Sequence, residues 1–203
     1  MNYQQELDKI IEGLGDKRPK VLLHSCCGPC SSYVISYLNE YFDITVLYYN
    51  PSIYPTEEYD KRKAVQLDLI KKLNDKGMDI KFMDCDYNHE DFLKVAAGHE
   101  WDPECGERCH NCYYQRLEET AKRAKAEGFD YFCTTLTVSP YKSAPVLNTI
   151  GMEISNNYGV SWLPSDFKKK GGYKQSIEMS KAFGLYRQEY CGCEFSTRGY
   201  VGE

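Results

Sequence analysis

Residues 24 to 30 read His-Ser-Cys-Cys-Gly-Pro-Cys. Two adjacent thiols, Cys26 and Cys27, stand three residues ahead of Cys30. Such a cluster serves a redox disulfide, a metal or a buried core, and the remaining cysteines decide between them. The chain has 10 cysteines in 203 residues, about 5%, below the roughly 8–10% of a disulfide-built secreted scaffold. No apolar run reaches the roughly 18 residues needed to span a bilayer. The N-terminal stretch MNYQQELDKIIEGLGDK is polar and amphipathic and lacks the apolar core of a signal peptide. A cytoplasmic protein with no membrane partner is therefore expected. Thiols there are kept reduced, so clustered ones point to metal or redox chemistry.

A second cluster lies in RCHNCYYQRLEET. Cys109 and Cys112 are three apart at the start of a helix, so they share one face. A helix N-terminus favours thiolate over thiol. Two thiolates from a helix end and two from the Cys26–Cys27 loop make a four-thiolate site, suited to zinc or an iron–sulfur cluster. The plainer alternative is two separate pairs of buried free cysteines. The third cluster, YCGCEFS, holds Cys191 and Cys193 around one glycine that permits a tight turn. These two suit an easily reduced disulfide or a chelating dithiol. Cys85, Cys105 and Cys133 have no partner by spacing; Cys133 reads as core and Cys105 as an incidental thiol. CGPC at 27–30 also occurs in thioredoxins, with Cys27 as nucleophile and Cys30 as resolving thiol. No tryptophan precedes it here, and that reading leaves Cys109, Cys112, Cys191 and Cys193 unexplained.

Short apolar runs alternate with helical stretches, and these elements must position the thiols. VLLHS (21–25), DITVLYYN (43–50, ended by Pro51), DIKFMDC (79–85) and YFCTTLT (131–137) read as strands. SYVISYLNEYF is helical in spacing, and Thr56 is placed to cap a helix that stops near Gly77. A short helix at EDFLKVAA is followed by a long one from CHNC to Gly128. VLNTIGMEISNNYG and YKQSIEMSKAFG are two more, and the tail from Leu185 is irregular. Alternating strands and helices predict an α/β domain with a parallel sheet covered on both faces. Ligands in such sheets sit beyond the carboxyl ends of the strands, where Cys26, Cys27, Cys30 and Cys85 gather.

The net charge is −5, which gives no global case for nucleic acid. Lys168, Lys169, Lys170 and Lys174 cluster in FKKKGGYK, read as a solvated loop or as a phosphate-binding patch. The chain has 18 tyrosines, and an exposed subset suits stacking on bases.

Taken in order, LLHSCCGPCS, YYNPSIYPTEEYDKR, GERCHNCYYQRLEETA, TTLTVSPYKS and LYRQEYCGCEFS resemble the QueH-type epoxyqueuosine reductases over about residues 20 to 198. The resemblance implies a single Rossmann-like domain related to the PP-loop ATP pyrophosphatases, with a core at 19–160. A C-terminal helix and CGC tail at 161–203 would complete the site. Cysteines occupy the loop where those enzymes hold a phosphate-binding turn, so ATP is not expected. The implied substrate is epoxyqueuosine at the wobble position of tRNA, reduced to queuosine. The implied 4Fe-4S ligands are Cys26, Cys27, Cys109 and Cys112. Cys191 and Cys193 match a pair read as redox-active or as ligands of an additional iron. An aspartate is implicated beside that iron, with Asp86 as candidate and Asp84 behind it.

Removing an epoxide oxygen as water takes two electrons and two protons. A cluster supplies electrons singly, so a second redox centre is needed, either an iron or the Cys191/Cys193 dithiol. A Lewis-acidic metal would polarise the epoxide oxygen. A carboxylic acid or His24 would protonate it; the plain reading of His24 is a hydrogen-bonded strand-end residue. Tyr49 and Tyr54 follow strand two and are placed to stack anticodon bases. Arg62 and Lys168, Lys169 and Lys170 are placed to hold phosphates. No flavin or nicotinamide motif identifies the electron donor. Two other readings compete: a zinc-stabilised nucleic-acid-binding module, and a thioredoxin-type oxidoreductase acting through Cys27 and Cys30.

Overall fold

The computed structural model describes residues 1–196; the last residues of the tail, 197–203, lie outside the described residues. Five strands form one sheet: β1 (Lys20–His24), β2 (Asp43–Tyr48), β3 (Lys81–Asp84), β4 (Tyr131–Thr134) and β5 (Ser161–Trp162). All pairings are parallel, in the order β3-β2-β1-β4-β5. Central β1 is buried from Val21 to His24, the unbroken apolar run of a strand covered on both faces. Its alternating side chains feed two cores. Val21 and Leu23 join Ile44, Val46 and Cys133 on one side; Leu22 joins Leu47 and Phe132 on the other.

The first face is covered by α1 (Tyr3–Gly13), α2 (Gly28–Leu38), α3 (Thr56–Asn74) and α7 (Gly172–Ala182). The second is covered by α5 (Glu107–Ala126) and α6 (Ala144–Tyr158), with α4 (His89–Ala96) packed on α5. The chain builds β1, β2 and β3 outward, then returns past β1 to add β4 and β5. The order therefore reverses between β1 and β4, and a crevice opens there beyond the strand ends.

Several boundaries differ from expectation for local reasons. β4 stops at Thr134 and turns into a short 3-10 helix, Thr135–Val138. The Thr134 hydroxyl accepts the Leu136 N–H at 3.2 Å and bends the chain out of the sheet. Thr56 is the first residue of α3 rather than its cap, and Pro55 precedes it. α1 was not read as an element; Asn2 caps it by accepting the Gln5 N–H. β5 is two residues long, too short to leave a periodic signal. No helix among the described residues is long and apolar enough to cross a membrane.

Candidate active site

The β1–α2 turn carries the first thiols. Cys27 is extended and caps α2 without a side-chain bond, and Gly28 begins the helix. A Cβ at Gly28 would meet Val65 Cγ1 at 2.9 Å and the Val65 carbonyl oxygen at 3.1 Å. α2 thus enters hard against α3, and only glycine fits. The Ser31 hydroxyl donates to the Cys27 carbonyl at 2.7 Å, fixing the turn. The result is a compact trio in which the Sγ atoms of Cys26, Cys27 and Cys30 all lie within 4.8 Å of one another. Hydrogen bonds from Cys27 and Cys30 hold Cys26 well below the ordinary thiol range. The same sharing pushes Cys27 up to about 12 and Cys30 up as well. Of the three, Cys26 is the one favoured as thiolate, with Cys27 and Cys30 as its hydrogen-bond partners.

His24 lies directly before this turn and is buried. Its Nε2 is 3.1 Å from the Tyr49 carbonyl, which only accepts, so that nitrogen carries the proton. Nδ1 then accepts from the Thr134 hydroxyl at 2.9 Å. Burial first, and the Arg116 charge second, hold His24 down at about 4. It is a neutral strand-end residue with both nitrogens occupied.

The second pair sits on α5, with Cys109 in its first turn and Cys112 in the next. Cys109 Sγ accepts the Cys105 N–H at 3.3 Å. Cys112 Sγ accepts from Arg116 Nη2 at 3.1 Å. Arg116 Nη1 reaches Asn50 Oδ1 at 3.4 Å, and Asn50 Nδ2 donates to the Ser25 carbonyl at 2.8 Å. One arginine therefore links the two thiol-bearing segments. Its charge also acts on Cys191 and Cys26.

The third pair is brought in by the tail. Ile53 bridges Cys193, and the Tyr54 N–H donates to the Gly192 carbonyl at 2.9 Å. Arg62, 2% exposed, donates to Glu58 at 2.6 Å and to the Cys191 carbonyl at 2.9 Å. Gly192 has φ 97°, and a Cβ there would stand 2.7 Å from Arg62 Nη1, so glycine is required twice over. Lys142 Nζ donates to Cys191 Sγ at 3.4 Å. Burial raises Cys191, but Lys142 and Arg116 more than offset it and hold the thiol below its ordinary value. Cys193 packs with Phe92, Ala96 and Cys112, and burial pushes it up to about 12. All ten cysteines are free.

These pieces frame a cavity of about 560 Å³ at the sheet's switch point. Cys26, Cys27, Cys30, Arg116, Lys142 and Cys191 line it, and Tyr141, Tyr173, Arg187 and Tyr190 also border it. The family model described as epoxyqueuosine reductase QueH matches residues 21–199. The chain belongs to the QueH family of epoxyqueuosine reductases. It is 44% identical over 202 residues to the epoxyqueuosine reductase QueH of Staphylococcus epidermidis, covering 97% of this chain and 85% of that one. Against the Streptococcus pyogenes QueH the identity is 41%, covering 98% and 79%. Against the Thermotoga maritima QueH it is 35%, covering 87% and 89%. The QueH family is thus one of oxidoreductases.

Within this QueH-family fold the expected site residues fall into distinct places. Cys26, Cys27 and Cys191 line the cavity; Cys109 and Cys112 do not, and Cys112 is bonded to Arg116, which does. The tightest thiol group includes Cys30, which was expected only as a resolving thiol beside Cys27 and not among the implied cluster ligands. Arg62 borders the cavity too, with its guanidinium bonded to Glu58 and to the tail carbonyls of Cys191 and Tyr190. Asp86 is exposed beyond β3 and borders no part of the cavity; the carboxylates that do are Glu104 and Glu189. Tyr49 lines a separate groove with Tyr114 and Gln115. Tyr54 is 47% exposed and stacks on His89 at 4.9 Å. Lys168 pairs with Asp166 at 2.8 Å and Lys170 with Asp8 at 2.9 Å, while Lys169 is exposed. Arg116 and Lys142 were not foreseen. Arg116 is one helical turn after Cys112, a spacing that could have marked it; Lys142 has no such signal.

Whether the thiols fit an iron–sulfur group can be tested on charge. Arg116 is 4% exposed and Lys142 half-buried, and among the described residues neither pairs with a carboxylate. A buried cation without a counter-ion costs several kcal/mol. Thiolates around an anionic cluster are a counter-charge of the right sign and place, so the residues fit.

Proposed function

We propose that this protein reduces epoxyqueuosine in tRNA to queuosine, using a 4Fe-4S cluster held by Cys26, Cys27, Cys109 and Cys112. The reading is carried by one cavity lined by Cys26, Cys27, Cys30 and Cys191, whose cations Arg116 and Lys142 pair with no carboxylate among the described residues, with Cys112 bonded to Arg116. When bound, the cluster supplies electrons one at a time at low potential. The chain's own residues do the rest. Cys191 faces the cavity as a thiolate-prone group beside Lys142, placed to act with Cys193 as a second redox pair or to hold an additional iron. Cys26 is kept anionic by its two neighbours, ready to ligate.

The cavity walls exclude bulk water from the epoxide, and the Lys142 ammonium stabilises negative charge growing on its oxygen. Protons come from the cavity carboxylates Glu104 and Glu189 in preference to Asp86. Tyr141, 72% exposed, and Tyr173 and Tyr190 offer faces for anticodon bases. Arg187, whose guanidinium lies 5.7 Å from the Tyr173 ring, adds a phosphate contact. Tyr54 and Lys169 extend that surface. ATP has no part in this scheme, and an external donor supplies the electrons.

The deciding experiment is anaerobic incubation with epoxyqueuosine tRNA and a chemical reductant, followed by nucleoside analysis. Queuosine should appear with the brown chain and be absent with a colourless one. A second reading rests on the close spacing of Cys26, Cys27 and Cys30, which is that of ligands sharing one ion. A colourless protein carrying one zinc and inactive on that tRNA would establish it.

A further inference from the structure

The mechanism above uses the thiols and leaves one buried group without a task. Arg116 lies inside the protein on α5, where burial disfavours its charge and the ionisable side chains that favour it most are thiols and a phenol: Cys112, Cys191, Cys26 and Tyr113. Its five donors are only partly satisfied by neutral acceptors. Nε reaches the Cys112 carbonyl at 3.3 Å and Nη1 reaches Asn50 Oδ1 at 3.4 Å, both long. The shortest contact goes to sulfur, Nη2 to Cys112 Sγ at 3.1 Å. An arginine kept for packing alone would be paired with a carboxylate or would extend its head to water. This one does neither among the described residues. It is aimed at the thiol set from within, and Asn50 ties it to the Ser25 carbonyl beside Cys26.

We infer that Arg116 is a positioning residue whose fixed charge makes the thiol-bound centre easier to reduce and holds Cys112 toward it. The inference rests on the cluster reading given above. A positive charge next to a redox centre favours the form with one more electron, and burial prevents water and salt from screening it. Hydrogen bonds to cluster sulfurs act in the same direction. Arg116 touches no substrate atom; it lines the inner wall of the cavity, whose exposed bordering residues include Tyr141, Tyr190, Glu104 and Glu189.

The test compares the full chain with R116Q, which keeps a hydrogen-bonding amide on a shorter side chain but loses charge, and R116K, which keeps charge but loses the fork. Each is purified anaerobically and loaded with iron and sulfide. Iron and sulfide content are then measured, and the potential is taken from optical and electron-paramagnetic-resonance titration. R116Q should shift the one-electron equilibrium at least tenfold toward the oxidised form, about 59 mV. R116K should stay within about threefold of the parent. Loss of loading in R116Q with loading kept in R116K supports the same conclusion. Loading of R116Q at the parent potential overturns it, and so does an equal shift in both variants or loss of loading in both, since shape rather than charge would then decide. A parent chain that takes up no iron and sulfide overturns the cluster reading as well, which separates the two failures.

Discussion

Cys133 and Cys191 are both enclosed by protein, and they are opposite kinds of thiol. Cys133 lies on β4 in register with Leu23. Its sulfur is 3.4 Å from the Leu163 carbonyl, and burial pushes it up to about 12. Cys191 lies at the rim of the same sheet, faces Lys142 and Arg116, and is held below its ordinary value despite its burial. Burial alone makes a thiol inert; burial beside an uncompensated cation makes it a thiolate. At His24 the same two causes add instead of opposing, because both disfavour an imidazolium. The rim is therefore a region where positive charge is fixed first and the thiols answer to it.

The largest way to break this contrast is to remove a rim thiol. Cys112→Ser should abolish iron uptake and lower turnover by about 100-fold or more, beyond the roughly 10–100-fold of outer-shell changes. Iron analysis and nucleoside turnover check it, and retained iron would place Cys112 outside the ligand set. The next concerns His24. Unfolded, it binds a proton near 6.5; folded, near 4. The unfolded chain thus holds more protons between those values. Stability is complete above that window and falls as pH drops through it, by about 2 kcal/mol between pH 7 and pH 5. His24→Gln can keep both hydrogen bonds without titrating, so urea unfolding should show a flatter slope over that range. An unchanged slope would mean that His24 takes up a proton in the fold.

Much of this architecture was legible in the sequence, and the reasons are local. The runs VLLH, DITVLY and YFCT announced buried parallel strands, and the thiols fell at strand ends because a crevice must open where strand order reverses. The CGC pair could be seen, but not what holds it. Arg62 lies some 129 residues from Cys191 in sequence, and a buried guanidinium on two carbonyls leaves no pattern in spacing. Arg62 was expected at a phosphate and Asp86, through the resemblance, beside an iron; the fold bonds Arg62 to Glu58 and the tail and leaves Asp86 exposed beyond β3. FKKKGGYK left a solvated loop and a phosphate patch both open, since Asp8 and Asp166, which pair with Lys170 and Lys168, could not be assigned to it from spacing.

A finer cut separates the tail from the scaffold. Gly192→Ala forces a Cβ against Arg62 and a disfavoured φ, at about 1–2 kcal/mol. The tail is held by Arg62 and by the Ile53 and Tyr54 contacts, so local opening should absorb that cost without global unfolding. Activity should drop about tenfold with a melting temperature within about 4 °C of the parent, and limited proteolysis should cut sooner between Tyr186 and Cys193. A lowered melting temperature with intact proteolytic resistance would mean that the tail is part of the core.

The smallest expected effect is the control on the comparison itself. Cys133→Ala removes one sulfur from a packed strand and leaves the Ser165 and Thr137 hydroxyls bonded to each other at 3.0 Å. No orphaned polar group results, so the cost is the lost contacts and a small void, about 1 kcal/mol. Iron content, potential and turnover should stay within about twofold, because no cation and no ligand depends on this sulfur. Thiol alkylation should agree: Cys133 stays unmodified in the folded chain, while Cys191 in the iron-free protein reacts faster than an ordinary thiol and loses that advantage in Lys142→Met. If Cys133→Ala lowers the iron content as far as Cys112→Ser does, the distinction between core and rim thiols fails, because the strand itself would then be sensing the site.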